Sequence, residues 1–401
     1  MVANLHRARG FRRDTEDASM VVRRPHDRKQ QIIVAAGDLF RERGYHNVSV
    51  ADVAAEVGIT APALYRHFRN KPDLLHNAVQ AGIDSLVATV SESEDLKALL
   101  TNLSSSVSRR RGLSLLWQRE ARHLPAEQRE LMRTQVTDVA ARVASLIRAE
   151  RPELHEGDEY LLGWSVIAVF GSVSGHRVAL ARKQMEALLY DLAERACQAS
   201  LGVTESRDQP PTSSVSVALP RRELLLIEAI RLFDERGYQS VNTEEIGEAA
   251  GTTGPNVYNH FDAKVDLLVA AVSRGGERRR LGASRAMAEA GSPEEALIGL
   301  LKAHIDFAIT ERHLLGVLIS ELDQLPDKFR KTCEQSQREY LGLWVQVLDE
   351  VKPGLTTAEA RITVSAALTV VENAVRTGRL RRRPDLADRL AEIGTAVLLG
   401  N

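Results

Sequence analysis

One short stretch of the chain concentrates side chains that could bind an anion or a nucleic acid. After Gly58, Thr60 offers a hydroxyl N-cap, and Pro62 falls in the first turn of the helix that follows. Leu64 and Phe68 lie four residues apart and form the buried side of that helix. The remaining polar groups then face outward at a helix N-terminus, where backbone N–H groups attract phosphate. These outward groups are Thr60, Tyr65, His67 and Lys71.

The elements before this stretch predict how it is positioned. From residue 27, apolar residues recur at three- and four-residue steps until Gly44, a glycine typical of a helix C-cap. Ser49 then offers an N-cap, and Asp52 follows three residues later as its capping-box partner. A helix, a short helix, a glycine-containing turn and another helix form a helix-turn-helix, although other three-helix domains share this pattern. The sequence predicts such a unit, which we call head 1, over residues 27–75.

The chain contains the same arrangement twice. At an offset of 193 residues and without a gap, the aligned pairs are Gly58 with Gly251, Pro62 with Pro255, Tyr65 with Tyr258, His67 with His260, and Lys71 with Lys264. Further along the chain the offset becomes 201, as between Glu120 and Glu321. Chance does not produce such an alignment, so the chain consists of two copies of one module of roughly 190 residues.

Each copy resembles a TetR-family regulator. The resemblance rests on the pattern Gly-x-(Ser/Thr)-x-x-x-(Leu/Val)-Tyr-x-His-Phe-x-x-Lys, which both copies keep. It implies an all-α fold with two tandem modules, each a helix-turn-helix head followed by a helical-bundle regulatory domain, as in the double-module regulators of actinobacteria. The predicted divisions are a disordered basic tail at 1–26, head 1 at 27–75, regulatory domain 1 at 76–202, a linker at 203–219, head 2 at 220–268, and regulatory domain 2 at 269–401.

The resemblance implies that both heads bind a double-stranded DNA operator. The predicted DNA-binding residues of head 1 are Ser49, Thr60, Ala61, Pro62, Ala63, Tyr65, Arg66, His67 and Lys71. Those of head 2 are Asn242, Thr243, Thr253, Gly254, Pro255, Asn256, Tyr258, Asn259, His260 and Lys264. Arg66 could reach a guanine edge or a phosphate, whereas Asn256 and Asn259 suit adenine. The two unlike heads therefore predict an operator with two dissimilar half-sites.

Charge distinguishes the two heads, although the whole chain has a formal net charge of only -1. Residues 28–75 hold seven Lys or Arg against five Asp or Glu, a net +2, while residues 221–268 hold five against nine, a net -4. Because phosphate neutralisation supplies much of the affinity for DNA, head 1 should dominate binding. An alternative is that only head 1 binds DNA.

The regulatory domains are predicted to hold an effector, because a helical bundle often encloses an apolar pocket. Candidate pocket residues are Trp117, His123, Trp164 and Phe170 in the first copy, and His304, Phe307, Tyr340 and Trp344 in the second. Ordinary core packing is the competing interpretation for each. The pockets have diverged, since Trp164 aligns with Ser365 and Val143 with Trp344. We therefore expect that one half senses a ligand, or that each half senses a different one.

The resemblance also implies how the molecule works. The last two helices of each bundle form the dimer interface in the family, so the two modules should pair within one chain as a pseudo-dimer, with further self-association left open. The expected effector is a small apolar molecule that relieves repression. The alternative is a constitutive DNA-binding protein without an effector.

Other classes of protein find little support in the sequence. It contains no catalytic, metal-ligand or cofactor motif, so we expect neither an enzyme nor a bound cofactor. The glycine-rich run at 171–175 lies inside an apolar helical pattern and predicts close helix packing. The two cysteines, Cys197 and Cys333, are far apart, which is typical of a reducing compartment. With no apolar run long enough to span a bilayer, we expect a cytoplasmic protein that does not bind membranes.

Overall fold

The computed structural model describes residues 25–109, 116, 120–175, 178–202 and 219–400. The described residues form seventeen α-helices and no β-strand, so the predicted all-α fold is confirmed. The predicted tail up to residue 24, the linker up to residue 218 and Trp117 lie outside the described residues. None of the described helices has both the length and the apolar character needed to cross a membrane.

Eight helices belong to the first half of the chain and nine to the second. Those of the first half are α1 (Pro25–Arg43), α2 (Val50–Glu56), α3 (Ala61–Leu64), α4 (Lys71–Ser91), α5 (Leu96–Arg109), α6 (Ala126–Glu150), α7 (Asp158–Ser172) and α8 (Arg182–Cys197). Those of the second half are α9 (Arg221–Arg236), α10 (Thr243–Ala249), α11 (Gly254–Val257), α12 (Lys264–Glu289), α13 (Pro293–Thr310), α14 (Arg312–Ser320), α15 (Asp327–Val351), α16 (Thr357–Arg376) and α17 (Leu386–Leu399). Short 3-10 turns at Ala121–His123 and Leu322–Gln324 occupy matching places.

The short helices of head 1 begin and end at the residues that the sequence predicts. The Ser49 hydroxyl accepts a hydrogen bond from the Asp52 amide (3.1 Å), and the Asp52 carboxylate accepts one from the Ser49 amide (2.7 Å). Thr60 caps α3 by accepting a hydrogen bond from the Ala63 amide at 3.4 Å. Gly58 and Gly251 both have a φ of +68°, a left-handed conformation that favours glycine. The same turn is therefore built in both heads.

The regulatory helices pack within each half and also between the halves. In the first half α7 lies along α6 and α8, and in the second half α16 lies along α15 and α17. Across the halves, α7 packs on α16 and α8 packs on α17. Apolar residues occur on all sides of α7, since helices of both halves cover it.

Buried charges join the same helices across the halves. Asp158, at the first turn of α7, is fully buried, and its Oδ1 accepts a hydrogen bond from Arg383 at 2.6 Å. Arg389 of α17 lies 3.6 Å from the other carboxylate oxygen and donates to the Gly202 carbonyl oxygen at 2.6 Å. A buried carboxylate needs such partners, so the second half supplies charges that the first half requires.

A second contact between the halves lies beside the heads. Arg122, in the first 3-10 turn, forms an ion pair with Glu321 at 2.6 Å. It also donates hydrogen bonds to the hydroxyl (2.8 Å) and the carbonyl oxygen (3.0 Å) of Ser320, at the end of α14. Asp323 occupies the position that aligns with Arg122. The contact therefore exists once, where two identical subunits would make it twice.

Gly163 allows a close approach of α6 and α7 in the first bundle, which leads to a stability prediction. A Cβ at Gly163 would lie 2.8 Å from the Ala140 carbonyl oxygen and 3.1 Å from the Ala144 amide nitrogen, whereas nothing lies within 4 Å of a Cβ at Gly171 on the same helix. Gly163→Ala should cost about 1–3 kcal/mol through overpacking. Gly171→Ala should be neutral or gain up to about 1 kcal/mol from helix propensity. Urea unfolding midpoints measure both, and equal midpoints would contradict the close approach of α6 and α7.

Candidate nucleic-acid interface and effector cavity

Head 1 presents a continuous exposed face on α3 and just after it. Pro62, Tyr65, Arg66 and His67 are exposed, and Tyr65 keeps 53% of its surface accessible. Ala61 and Ala63 are half-buried beside them. The arrangement combines a cation, an aromatic hydroxyl and small apolar groups at a helix N-terminus. Such a surface can contact phosphates and the edges of bases.

Head 2 holds its polar side chains in place with hydrogen bonds. The Asn259 side-chain amide donates to the Asn256 side-chain oxygen, and the Asn256 amide donates to the Thr252 hydroxyl, both at 2.7 Å. The Tyr258 hydroxyl lies 3.1 Å from the hydroxyl of Thr243, whereas head 1 has the apolar Val50 at the aligned position. The exposed groups of head 2 are therefore ordered before any partner binds.

Two glycines bring α11 of head 2 close to α10. A Cβ at Gly247 would lie 2.7 Å from the Thr253 carbonyl carbon, and a Cβ at Gly254 would lie 2.9 Å from Cγ of Glu244. Head 1 has alanine at both aligned positions. Gly254 is buried, as is Thr243, so these two residues of the predicted site position their neighbours and present little surface of their own.

The two lysines of the repeated pattern bind the protein itself. Nζ of Lys71 lies 4.3 Å from the centre of the Tyr45 ring and donates to a carbonyl oxygen of the preceding loop. Nζ of Lys264 lies 4.2 Å from the Tyr238 ring centre and donates to two carbonyl oxygens at 2.9 Å. Burial lowers the pKa of both ammonium groups. Each lysine thus fastens the long helix of its head to the loop before the helix-turn-helix.

Two other residues of the predicted interface are also engaged within the heads. The Ser49 hydroxyl donates to Asp52 at 2.6 Å, and Asn242 caps α10 by accepting from the Glu245 amide at 2.8 Å. His260 is half-buried, and Thr253 and Pro255 remain exposed. Tyr45 and Lys71 recur as Tyr238 and Lys264 at the same offset of 193 residues. This repeat was the sequence signal that could have revealed the lysine contacts.

Carboxylates surround the helix-turn-helix of head 2. Glu244 and Glu248 are exposed on α10, at positions where head 1 has Ala51 and Ala55. The first helix of such a unit crosses the DNA backbone, where negative charge opposes binding. These two carboxylates account for two of the six units of net charge by which the heads differ, and they lie on the surface that would face phosphates.

This geometry defines the class of protein: two helix-turn-helix heads joined to helical bundles, as in DNA-binding transcription regulators, which are not enzymes. The family model for bacterial regulatory proteins of the tetR family matches residues 32–78 and 225–271, one segment in each head. The chain belongs to the TetR family and carries two of its modules in tandem.

Individual relatives share shorter regions with the chain. It is 33% identical over 93 residues to the HTH-type transcriptional activator FasR of Mycolicibacterium smegmatis, covering 23% of this chain and 42% of that protein. It is 35% identical over 69 residues to an HTH-type transcriptional regulator of Staphylococcus aureus strain USA300, covering 17% of this chain and 37% of that protein. The chain thus spans less than half the length of these relatives. The structure of the ketosteroid transcriptional regulator KstR2 of Mycobacterium tuberculosis aligns at 21% identity and a TM-score of 0.41, over 46% of this chain and 95% of that one.

A cavity of about 790 Å³ opens in the first bundle. Side chains of α4 to α7 line it, together with the end of α16 from the second half. Trp164 and Phe170 of the predicted pocket are on its wall. His123 lies elsewhere, with its ring stacked on Tyr45 at 5.3 Å.

Polar and aromatic side chains fill the corresponding part of the second bundle. By the offsets of the repeat, the cavity residues Leu86 and Gly171 align with Arg279 and Glu372. Both side chains converge on His304 and Tyr340: His304 lies 3.8 Å from Glu372, and the Arg279 guanidinium lies 5.3 Å from the Tyr340 ring centre, to whose hydroxyl His304 is hydrogen-bonded at 3.2 Å.

The predicted pocket residues of the second half belong to this packed region. His304 and Trp344 are almost completely buried, their rings meet edge to face at 6.3 Å, and Phe307 is buried as well. Larger and charged residues thus stand where the first half has small or apolar ones. Comparison of the two copies was informative here, because Leu86 and Gly171 of the first copy are replaced by Arg279 and Glu372 in the second. Such replacements indicate that the protein's own side chains fill the space.

The buried His304 gives a prediction about pH. Burial lowers the pKa of its imidazole from 6.5 to about 3, so the folded protein holds it neutral while the unfolded chain protonates it. By pH 5 this histidine should therefore contribute a loss of stability of about 2 kcal/mol. Burial raises the pKa of the neighbouring Glu372 to about 7, which contributes in the opposite direction over the same pH range, so the histidine's share is read from the difference between variants. His304→Gln should remove this loss, whereas His155→Gln, at an exposed position, should retain it. Urea unfolding at pH 7.5 and pH 5 measures the difference, and equal pH dependence in all three proteins would contradict the assignment.

Proposed function

We propose that this protein is a cytoplasmic, ligand-responsive repressor whose two unlike heads bind one asymmetric DNA operator as an intramolecular pseudo-dimer. The observation that carries the proposal is the packing of α7 on α16 and of α8 on α17 within one chain. In this arrangement, the two heads that would enter successive major grooves are covalent parts of one molecule. The proposed divisions into heads, linker and regulatory domains are those that the sequence predicts.

Recognition would follow from the chemistry of the two exposed faces. Heads one helical turn apart, roughly 34–36 Å, can enter successive major grooves on one side of DNA. A symmetric dimer repeats one set of base contacts, whereas this chain offers Arg66 on one head and Asn259 on the other. Arginine matches guanine and asparagine matches adenine. We therefore propose that each half-site has its own sequence.

Affinity would be unequally shared between the heads. Head 1 has the positive net charge, and head 2 places Glu244 and Glu248 toward the side where phosphates would lie. These carboxylates favour a second candidate function, in which head 1 supplies nearly all of the affinity for DNA. In that case head 2 adds mainly sequence specificity, or does not bind DNA. The number of half-sites protected on DNA separates the two candidates.

The proposed switch couples the cavity to the heads through Arg122. This side chain lines the cavity of the first bundle and forms an ion pair with Glu321, whose carboxylate also accepts a hydrogen bond from the backbone amide of Tyr238 in head 2 (3.3 Å). A ligand that displaces Arg122 would therefore disturb Glu321 and, through it, the contact that positions head 2. Only a ligand with unequal affinity for the two arrangements can change operator affinity. Because the similar protein FasR is named an activator, a reporter gene placed under the operator should determine whether this protein represses or activates transcription. We expect expression of the reporter to rise when ligand binds.

The first test concerns operator symmetry. Selection from a random DNA library with the full chain should enrich two dissimilar half-sites, and native mass spectrometry should find one chain on each operator. A perfect palindrome that binds more tightly than every asymmetric site would contradict the proposal. Protection of one half-site alone would establish the candidate in which only head 1 binds DNA.

The second test assigns each half-site to a head. Arg66→Ala should cost about 1–3 kcal/mol of operator affinity and relax the sequence preference in one half-site, because it removes a base or phosphate contact. Asn259→Ala should relax the preference only in the other half-site. Arg142→Ala, an exposed arginine on α6, should leave both unchanged and serves as the control. Equal effects of both head substitutions on one half-site would contradict the assignment.

A further inference from the structure

The cavity of the first bundle has an apolar interior. Its lining includes Ile83, Leu86, Leu103, Val136, Ile167 and Phe170. Its volume of about 790 Å³ lies within the range of roughly 300–1,000 Å³ that is usual for ligand sites. An elongated apolar group could therefore be accommodated between α4, α5, α6 and α7.

Arginines distinguish one side of this cavity. The lining includes Arg122, Arg129, Arg133, Arg376, Arg379 and Arg382, and no Asp or Glu occurs among the described residues that line it. Three of these arginines lie at the end of α16 and in the turn that follows, so the second half of the chain supplies half of the positive charge. A cavity with only cationic groups on one side and an apolar interior is suited to an anionic amphiphile.

The arginines differ in how far they are already engaged. Arg122 is paired with Glu321, and Arg133 forms an ion pair with Glu130 on the surface. Arg376 and Arg379 are exposed, and the Arg379 guanidinium lies 4.7 Å from the centre of the Tyr160 ring on the cavity wall. Guanidinium groups are weakly hydrated and bind carboxylates and phosphates through paired hydrogen bonds. Arg376 and Arg379 are therefore the side chains best placed to receive an anion.

Two buried N–H groups on the wall add further donors. Among the described residues, Nε1 of Trp164 and Nε of Arg122 are buried without a hydrogen-bond partner. A buried donor without an acceptor is costly, so such groups often mark a place where a ligand supplies the acceptor. Both belong to the lining of this cavity, where a ligand has room to supply the acceptor, whereas Nε of Arg279, Nε2 of His304 and Nε1 of Trp344 are similarly without a hydrogen-bond partner in the filled region of the second bundle.

We propose that this cavity binds a molecule with an apolar chain and a terminal anionic group, either a carboxylate or a phosphate. The chain lies among α4 to α7, and arginines from both halves hold the anion. This inference rests on the proposed ligand response and changes its chemistry, since a purely apolar effector would leave the arginines unused. Because the anion contacts Arg122 on one half and Arg376 on the other, binding alters the contact between the halves beside the heads.

Titration calorimetry with the full chain tests the ligand class. Decanoate and decyl phosphate carry the two anionic groups on the same apolar chain, and 1-decanol is the uncharged match. Both anions should bind, and 1-decanol should bind at least tenfold more weakly. Stronger binding of one anion identifies the head group that the site prefers. Binding of 1-decanol as tightly as the anions, or of none of the three probes, would overturn the proposal.

Substitutions then locate the site. The double substitution Arg376→Gln and Arg379→Gln should weaken binding of the preferred anion at least tenfold and leave the weak binding of 1-decanol unchanged. Arg381→Gln, in the same turn but not part of the cavity lining, should bind like the unaltered protein. Leu86→Trp should abolish binding of every probe by filling the interior. Unchanged anion binding in the double variant would overturn the proposal.

Operator affinity of the same proteins, measured first without a probe and then with each of the three probes, separates this inference from the proposed function. If the double substitution weakens operator binding but not anion binding, the arginines contact DNA and the inference is wrong. If the anions bind as described and operator affinity does not change, the site exists and the proposed ligand response fails. If 1-decanol releases the operator as well as the anions do, the response holds and the anion preference is wrong.

Discussion

The burial of α7 and α8 against α16 and α17 is the contact on which the rest of the structure depends. Apolar residues cover α7 on all sides, so its outer face would be a large exposed apolar patch without α16. Asp158 is fully buried and depends on Arg383 of the other half for its hydrogen bond. Removing one half would therefore leave both an uncovered surface and an uncompensated charge. The positions of the heads follow from this contact.

Local features of the fold could be predicted from the sequence because their signals lie within a few residues of each other. Ser49 with Asp52, and Gly58 before Thr60, determine where short helices begin and end, and the repeat carries the same reasoning to head 2. Apolar periodicity identified Leu64 and Phe68 as core residues, and both are buried. Two full-length modules followed from the repeat alone.

Contacts between distant residues could not be predicted in this way. Lys71 and Lys264 suggest phosphate ligands when only charge and position in a pattern are considered, yet each lies over a tyrosine ring about 26 residues away. The arginines at the end of α16 become relevant to the first bundle only after the halves pack together. His304 and Trp344 look like pocket residues until the neighbouring Arg279 and Glu372 are seen to fill the same space. In each case the deciding partner lies on another element of the fold.

Covalent duplication has allowed the two halves to specialise. Arg122 aligns with Asp323, Leu86 with Arg279 and Ala51 with Glu244, so the contact beside the heads, the cavity and the surface of the short helix each differ between the copies. In a homodimer every substitution appears twice, and a change that suits one subunit must also suit the other. In a single chain with two copies, each copy can change without the same change in the other, so this constraint does not apply.

The covering of α7 by α16 also has a consequence for synthesis. The last residue of α7 is Ser172 and the last of α16 is Arg376, so the ribosome must add 204 residues before the covering helix is complete. At about 5–20 residues per second this takes roughly 10 to 40 seconds. During this interval the apolar face of α7 is accessible to chaperones and to other nascent copies on the same messenger RNA. The order of elements along the chain thus makes the first half dependent on protection that the finished protein no longer needs.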